Sequence, residues 1–155
     1  MNKEYTEFVL SQQDLQNQNN PLFLKIFEYY QQEGRVFLLQ GEVAAGKTTL
    51  VQSFGKILGI DSITSPTFNL LQTYPSTHQS ISFLHHYDLY RYELNDILEL
   101  GITEEIQQKG IHFIEWGDEK IETICMKMGI ISLKVGIEAL RDKRKYRIGL
   151  GQCTL

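Results

Sequence analysis

Apolar runs of strand length alternate with amphipathic stretches along most of the chain, and this alternation predicts an α/β fold. Val36–Leu39 is apolar throughout, and Ile111–Trp116 is mostly so. Runs of this length and composition are typical of strands buried on both faces of a sheet. Residues 49–58 come after the first run and carry apolar side chains at helical spacing, and Gly59 provides a stop signal for this predicted helix.

The rest of the chain divides into further helices and strands. Helices are predicted at 21–33, 94–100, 103–109 and 118–128, strands at 4–10, 130–137 and 146–150, and a loop or weak helix start at 11–20. Two more strands, 68–74 and 81–88, flank a polar turn and are expected to form a hairpin. A hairpin beside interior-type strands implies a mixed sheet, and we expect residues 1–155 to form a single three-layer domain.

A glycine-rich loop connects the first apolar run to the helix after it. It matches the phosphate-binding pattern G-x-x-x-x-G-K-[ST] without a mismatch. The two glycines allow the tight turn that points successive N–H groups at phosphate oxygens, and the helix dipole adds positive potential at the same place. An ordinary glycine turn is the weaker interpretation, because a strand and a helix flank the loop as the motif requires. The predicted nucleotide-binding residues are Gly41, Glu42, Val43, Ala44, Ala45, Gly46, Lys47, Thr48 and Thr49.

Phosphoryl-transfer chemistry assigns further roles around this loop. In P-loop proteins the lysine, here Lys47, reaches the β- and γ-phosphates, and the hydroxyl, here Thr48, ligates Mg²⁺. A carboxylate at the end of a buried strand usually completes the metal site. Asp88 ends one strand and is the first candidate, although it can equally cap the helix that follows. Glu115 ends another strand and can ligate the metal, orient water or act as a general base, unless it is simply a surface carboxylate.

The predicted catalytic residues are therefore Lys47, Asp88 and Glu115, and the predicted metal ligands are Thr48, Asp88 and Glu115. Trp116 follows Glu115 and suits a lid over a nucleotide, although a partly buried core residue is the simpler interpretation.

The connection after the P-loop helix is rich in hydroxyl groups. Ser65, Pro66, Thr67 and Phe68 can form a switch-like loop that contacts phosphate or Mg²⁺ through its hydroxyls. Turn chemistry alone explains the same composition, and the residues leave both interpretations open.

Two other polar features have simpler interpretations. His86 shares a strand face with Asp88, which hints at a metal site, but without a third ligand a hydrogen-bonded histidine is favoured. The basic run Arg141–Arg147 can contact RNA phosphates or an acidic partner, yet such runs between strands are usually solvated turns.

Composition limits the classes of function. The net charge of −4 argues against binding nucleic acid through the global field of the chain. No apolar run reaches membrane-spanning length, and the N-terminus lacks a signal-peptide core. The two cysteines, Cys125 and Cys153, have neither metal-site nor C-x-x-C spacing. These features favour a cytoplasmic protein.

Four sequence blocks resemble the TsaE (YjeE) family, the small bacterial P-loop ATPases of tRNA threonylcarbamoyladenosine synthesis. They are Gly41–Thr49, Ser65-Pro66-Thr67-Phe68, His86-Tyr87-Asp88-Leu89-Tyr90-Arg91 and Ile114-Glu115-Trp116. A P-loop alone is shared by many families, whereas the ordered set is specific. Val43 and Ala44 depart from the family's loop, which usually has Leu and Gly there, and Ala44 would resist a positive φ angle.

The resemblance implies a P-loop ATPase that uses ATP and Mg²⁺. It would act with the TsaD and TsaB proteins to modify adenosine 37 of tRNAs that read ANN codons, meeting tRNA indirectly through that complex. It also implies that Lys47 and Thr48 bind phosphate and Mg²⁺, that Asp88 is the second metal-side carboxylate, and that Glu115 and Trp116 lie close to the nucleotide.

Other functions remain open. A small metabolite kinase is one alternative, but such enzymes usually bring a lid rich in arginines over the phosphates, and arginines are few here. A GTPase is less favoured, because neither an N-K-x-D nor a D-x-x-G motif occurs. A third alternative is a binding module for which the nucleotide is a conformational switch.

Overall fold

The computed structural model describes residues 5–66 and 69–151, which form a seven-stranded mixed sheet with helices on both faces. The strands are β1 (Tyr5–Ser11), β2 (Val36–Gln40), β3 (Leu71–Pro75), β4 (Phe83–Asp88), β5 (Ile111–Glu115), β6 (Ser132–Ala139) and β7 (Lys143–Leu150). The helices are α1 (Gln12–Leu15), α2 (Pro21–Gln31), α3 (Lys47–Ile57), α4 (Leu94–Glu99), α5 (Ile102–Ile106) and α6 (Glu119–Lys127). The predicted α/β class is confirmed.

The sheet has the strand order β1-β7-β6-β2-β5-β4-β3. Its centre is parallel, because β2 pairs in parallel with both β5 and β6, and β5 pairs in parallel with β4. The pairs β3–β4, β6–β7 and β1–β7 are antiparallel. The hairpin predicted from the two runs around the polar turn is thus confirmed as β3–β4, and the sheet is mixed as expected.

Alternation along β2 sends side chains into two separate cores. Phe37 and Leu39 join α2 and α3 in one core, while Val36 and Leu38 join α4, α5 and α6 in the other. Successive strand residues point to opposite faces, so a strand covered on both sides must be apolar at each position. The two cores make the three layers that the sequence predicts.

The parallel centre brings three strand ends to one edge of the sheet. β2 leads into the glycine-rich loop, β4 ends at Asp88, and β5 ends at Glu115. Asp88 lies directly opposite Glu115 in the register of β4 with β5, and Leu39 of β2 lies opposite Glu115 on the other side. Ligands of open α/β sheets bind at this carboxyl edge of the parallel strands.

Some element boundaries differ from the prediction. Strand β7 begins at Lys143 rather than at 146, since its basic residues pair with β1 and β6 on both sides. Backbone pairing between two neighbours therefore overrides the polar composition. The predicted helix at 103–109 is shorter, and α5 ends at Ile106. The segment 11–20 does contain a helix start, with Ser11 and Asp14 forming a capping box.

Among the described residues, no helix is long and apolar enough to cross a membrane. Cys125 is a buried free cysteine on α6, whereas Cys153 lies outside the described residues.

The glycine-rich loop requires unusual backbone angles. Gly46 has a φ of 113° and Ala44 a φ of 65°, so both lie in a region that L-residues rarely adopt. The departure noted at Ala44 therefore falls on a position that does adopt a positive φ. At Gly41 a Cβ would lie 2.6 Å from the carbonyl oxygen of Ile137, so the close approach of two backbones requires glycine there.

We predict that Ala44→Gly leaves the free energy of unfolding unchanged or higher. Relief of the left-handed strain, about 1 kcal/mol, matches or exceeds the roughly 0.4–1 kcal/mol that glycine adds to the freedom of the unfolded chain. Ala45→Gly is the matched control, because Ala45 is buried and has no positive φ. That variant should lose about 1–2 kcal/mol, through its buried methyl group and the same backbone freedom. Chemical denaturation measures both, and equal losses would contradict the strain at Ala44.

Candidate functional site

A cleft of about 430 Å³ opens at the carboxyl edge of the sheet. Its walls come from the glycine-rich loop, the start of α3, the ends of β4 and β5, and one side chain from β7. The lining residues are Val43, Ala44, Gly46, Lys47, Thr48, Thr49, Asp88, Tyr90, Glu115, Trp116 and Arg144. Most of the residues predicted from separate parts of the sequence are therefore brought together in one place.

The predicted loop residues take different positions around the cleft. Gly41 packs against the Ile137 backbone, and Ala45 is buried in the core beside α2 and α3. The exposed Glu42 contributes its carbonyl oxygen to the Lys47 ammonium. These three residues shape the loop, and the other loop residues face the cleft.

Helix α3 begins at the floor of the cleft. Its N-cap is Gly46, so no capping side chain occupies the N–H groups of the first turn. Those N–H groups have no partner within a helix, and they carry the positive end of the helix dipole. The start of α3 can therefore accept an anion such as a phosphate group.

The Lys47 ammonium is anchored to its own loop. Nζ donates to the carbonyl oxygens of Gly41 at 2.7 Å and Glu42 at 2.9 Å, and lies 4.1 Å from the centre of the Trp116 ring. An ammonium has three donors, so these two bonds leave one for a ligand. Burial lowers the pKa of Lys47, while Glu115, Asp88 and Glu42 act in the opposite direction by stabilising the charged form.

Glu115 is a buried carboxylate at the centre of the site. Its two oxygens share one hydrogen bond from the Thr48 hydroxyl, at 2.9 and 3.0 Å, and it contacts Nε2 of His86. A buried carboxylate needs such partners, because burial without them is very unfavourable. The surface-carboxylate alternative for Glu115 is therefore wrong. His86 is the hydrogen-bonded histidine that its sequence context favours, and its partner is Glu115.

Thr48, Asp88 and Glu115 supply hydroxyl and carboxylate oxygens to the cleft. A hydroxyl has one donor and two acceptor lone pairs, so the bond from Thr48 to Glu115 leaves lone pairs for a metal ion. Oxygen donors of this kind suit Mg²⁺, which typically binds one or two carboxylates, water and substrate phosphates. Within residues 5–66 and 69–151, no group of three or more His, Cys, Asp or Glu side chains forms a metal site by itself.

Asp88 is half-buried at the end of β4. Its Oδ1 accepts a hydrogen bond from the N–H of Tyr90 at 3.1 Å, which fixes the carboxylate at the cleft wall. The cap of α4 is Glu93, so the helix-cap alternative for Asp88 is wrong.

Trp116 and Tyr90 form an aromatic wall on one side of the cleft. Their ring centres are 4.8 Å apart, and Trp116 has a φ of 62°. A positive φ is unfavourable for a bulky residue and persists only where its surroundings require it. Here the turn after β5 directs the indole toward Lys47 and the cleft, so Trp116 is more than a partly buried core residue.

The switch-like loop is only partly described. Thr67 and Phe68 lie outside the described residues, and Pro66 is half-buried. The Ser65 hydroxyl lies 3.3 Å from the Thr48 hydroxyl, which places the start of this segment beside the proposed metal side of the cleft.

Arg144 reaches the cleft from β7, and sequence reasoning missed it. The run Arg141–Arg147 favoured a solvated turn, and Arg141 and Lys143 are indeed exposed. Arg144, in contrast, is half-buried and lines the cleft beside Gly46. No local signal distinguishes it from its basic neighbours, because its position depends on the pairing of β7 with β6.

Comparison with known proteins relates this cleft to one family. The chain matches the family model "Threonylcarbamoyl adenosine biosynthesis protein TsaE" over residues 15–146. It is 39% identical over 113 residues to a tRNA threonylcarbamoyladenosine biosynthesis protein TsaE from Treponema pallidum, with 72% of this chain and 81% of that protein covered. A protein of the same name from Nostoc sp. is 46% identical over 92 residues, which cover 55% of this chain and 54% of that protein.

The fold has a close counterpart among solved structures. The crystal structure of Bacillus subtilis YdiB superimposes with a TM-score of 0.62 and 21% sequence identity, covering 97% of this chain and 89% of that one. This likeness shows the fold alone. The family model, in contrast, spans the glycine-rich loop and the ends of both β4 and β5. The chain belongs to the TsaE family.

Proposed function

We propose that the chain is the ATP-binding and ATP-hydrolysing component of tRNA threonylcarbamoyladenosine synthesis. It acts in the cytoplasm with the TsaD–TsaB complex on adenosine 37 of tRNAs that read ANN codons, and meets tRNA indirectly through that complex. One observation carries the proposal: Lys47 and Thr48 of a complete P-loop share a cleft with the strand-end carboxylates Asp88 and Glu115. The family's name supports the pathway.

Nucleotide phosphates bind at the start of α3. The N–H of Ala45 donates to the Glu42 carbonyl oxygen. The other loop N–H groups between Val43 and Thr49 would point at the β-phosphate, and the remaining donor of Lys47 would reach a β- or γ-phosphate oxygen. The aromatic wall of Tyr90 and Trp116 bounds the other side of the cleft.

The donor set fits Mg²⁺, since Thr48, Asp88 and Glu115 offer only hard oxygen atoms. When bound, the ion neutralises charge that develops on the phosphate oxygens. Thr48 and Asp88 are its proposed direct ligands. Glu115 holds the Thr48 hydroxyl in place through the hydrogen bond described above.

Glu115 also acts on the attacking water. Its carboxylate is buried and immobilised by two neighbours. It can therefore orient a water molecule for in-line attack on the γ-phosphate and accept the proton that this water loses. The buried His86 ring contacts the Glu115 carboxylate, and this contact fixes the carboxylate position.

The rim of the cleft explains why turnover should depend on partners. Val43 is 68% exposed and Tyr90 is 59% exposed, although both are large hydrophobic residues at the cleft. Contiguous exposed apolar patches mark interaction surfaces, and we propose that a partner covers this rim. A partner seated there excludes bulk water, while the water held by Glu115 stays, and strengthens the electrostatic interactions inside.

A small kinase is the second candidate, and one observation favours it. A cavity of about 660 Å³ adjoins the cleft and shares Tyr90 and Trp116 with it. A metabolite that accepts the γ-phosphoryl group could bind in that cavity, against the Tyr90 and Trp116 side chains that the cavity shares with the cleft. Product analysis distinguishes the two candidates, because both release ADP, but the ATPase transfers the γ-phosphoryl group to water as inorganic phosphate and a kinase transfers it to the acceptor.

We predict that ATP turnover by this chain is slow and rises when TsaD and TsaB are added. Lys47→Ala should abolish the increase, with a loss of about 100-fold or more, because the lysine stabilises charge on the transferring phosphoryl group. Phosphate release measures both. Fast turnover that TsaD and TsaB leave unchanged would reject the partner-dependent ATPase.

Asp88→Asn should lower Mg²⁺-dependent hydrolysis by about 10–100-fold while the dissociation constant of ATP changes little, because the carboxylate acts through the metal. Calorimetric titration and phosphate release separate the two effects. Asp118→Asn is the matched control, since Asp118 caps α6 and asparagine caps helices equally well. Equal hydrolysis by Asp88→Asn and the parent chain removes Asp88 from the site.

Glu115→Gln should reduce hydrolysis by about 100-fold or more and keep ATP binding, because an amide orients water but does not accept its proton. The exposed Glu99→Gln on α4 provides the control for loss of a carboxylate. Co-purification with TsaD and TsaB checks that docking is intact. A docked variant with parental turnover would contradict the role of Glu115 as the base.

A further inference from the structure

Arg144 lies flat against the glycine-rich loop. A Cβ placed on Gly46 would be 2.7 Å from both Cζ and Nε of Arg144 and 2.8 Å from Nη1. Nearly equal distances to three atoms of a planar group mean that its face, not its edge, packs on Gly46. The N–H groups lie in the guanidinium plane, so those that do not reach the Tyr146 hydroxyl remain available around its edge.

The guanidinium of Arg144 has no anionic partner among the described residues. The ion pairs between described side chains join Lys25 to Glu28, Lys134 to Glu122 and Arg147 to Glu7, and His86 contacts Glu115. A half-buried cation that lines a cleft without a carboxylate partner is suited to an anion from solution. Its neighbour Arg147 lacks this property, because Glu7 already pairs with it.

Charge balance in the cleft points the same way. The charged lining residues are Lys47 and Arg144 against Asp88 and Glu115. Without Arg144 the side chains of the lining, before any metal ion binds, would carry one more negative charge than positive, which is unfavourable for an anionic polyphosphate. Arg144 makes the lining neutral.

We infer that Arg144 is a phosphate-binding residue of the nucleotide site, whose guanidinium contacts the phosphate chain of the bound nucleotide. The inference rests on the proposed function of the cleft as a nucleotide site. Guanidinium groups match phosphate oxygens with two parallel hydrogen bonds, which a lysine does not reproduce. Gly46 is then required twice, for its backbone angle and for the space that Arg144 occupies.

The packing of β7 positions this side chain. Arg144 pairs with Leu10 of β1 on one side and Ala139 of β6 on the other. Burial raises the pKa of Tyr146, two residues along the same strand, and a hydrogen bond and the positive charge of the Arg144 guanidinium oppose this shift. The base of Arg144 is therefore fixed by backbone pairing on two sides, while its head rests on the P-loop.

The test measures binding of inorganic tripolyphosphate and of ATP by isothermal titration calorimetry. Tripolyphosphate contains neither base nor sugar, so it reports on phosphate contacts alone. We expect Arg144→Gln to weaken binding of both ligands by about tenfold or more, as for the loss of a charged hydrogen bond. Arg144→Lys should bind with intermediate affinity, because it keeps the charge and loses the paired geometry.

The control is Arg141→Gln, which removes one positive charge from the same basic run at an exposed position outside the cleft. It should bind tripolyphosphate like the parent chain. Thermal unfolding establishes that each variant is folded, and Arg144→Lys carries the test if Arg144→Gln is not.

Two results would overturn the inference while the proposed function stands. One is parental affinity of Arg144→Gln for tripolyphosphate and ATP. The other is weaker ATP binding with unchanged tripolyphosphate binding, which would assign Arg144 to the base or sugar. If the parent chain binds neither ligand, the proposed function fails and the inference fails with it. If the parent binds both and Arg144→Gln binds them weakly, the inference holds even where ATP turnover is absent.

Discussion

The buried carboxylate of Glu115 imposes the main constraint on the site. A charged group at the end of the interior strand β5 is stable only where donors reach it, and the Thr48 hydroxyl and the His86 ring lie against it. Each of these groups comes from a different element: β5, the start of α3, and β4. The carboxylate therefore ties the P-loop helix to two parallel strands.

The parallel arrangement of β2, β5 and β4 makes this contact possible. Parallel strands end at the same edge, so a residue placed last on each of them shares a small volume with the others. This is why the pattern of apolar runs predicts the position of Asp88 and Glu115 well. The glycine-rich loop is predicted from the sequence equally well, because the residues that define it are consecutive.

Features that depend on pairing between strands far apart in the sequence cannot be predicted in this way. The sequence indicates a basic run before the last strand, but only the order β7-β6-β2 brings Arg144 beside Gly46. The polar composition of Lys143–Lys145 hides a strand whose backbone pairs on both sides. Likewise, strand alternation identifies the face of His86 and not its partner, since Glu115 lies on the adjacent strand. Thr67 and Phe68 fall outside the described residues, and their assignment to a switch-like loop stays a prediction.

The position of Trp116 has an optical consequence. It is the only tryptophan of the chain, and its indole lies 4.1 Å from the ammonium that a phosphate ligand would engage. At wavelengths that only indole absorbs, all fluorescence therefore comes from one place in the molecule, the wall of the cleft. The emission spectrum of the unmodified protein reports the state of this site without a background from other indoles and without an attached dye.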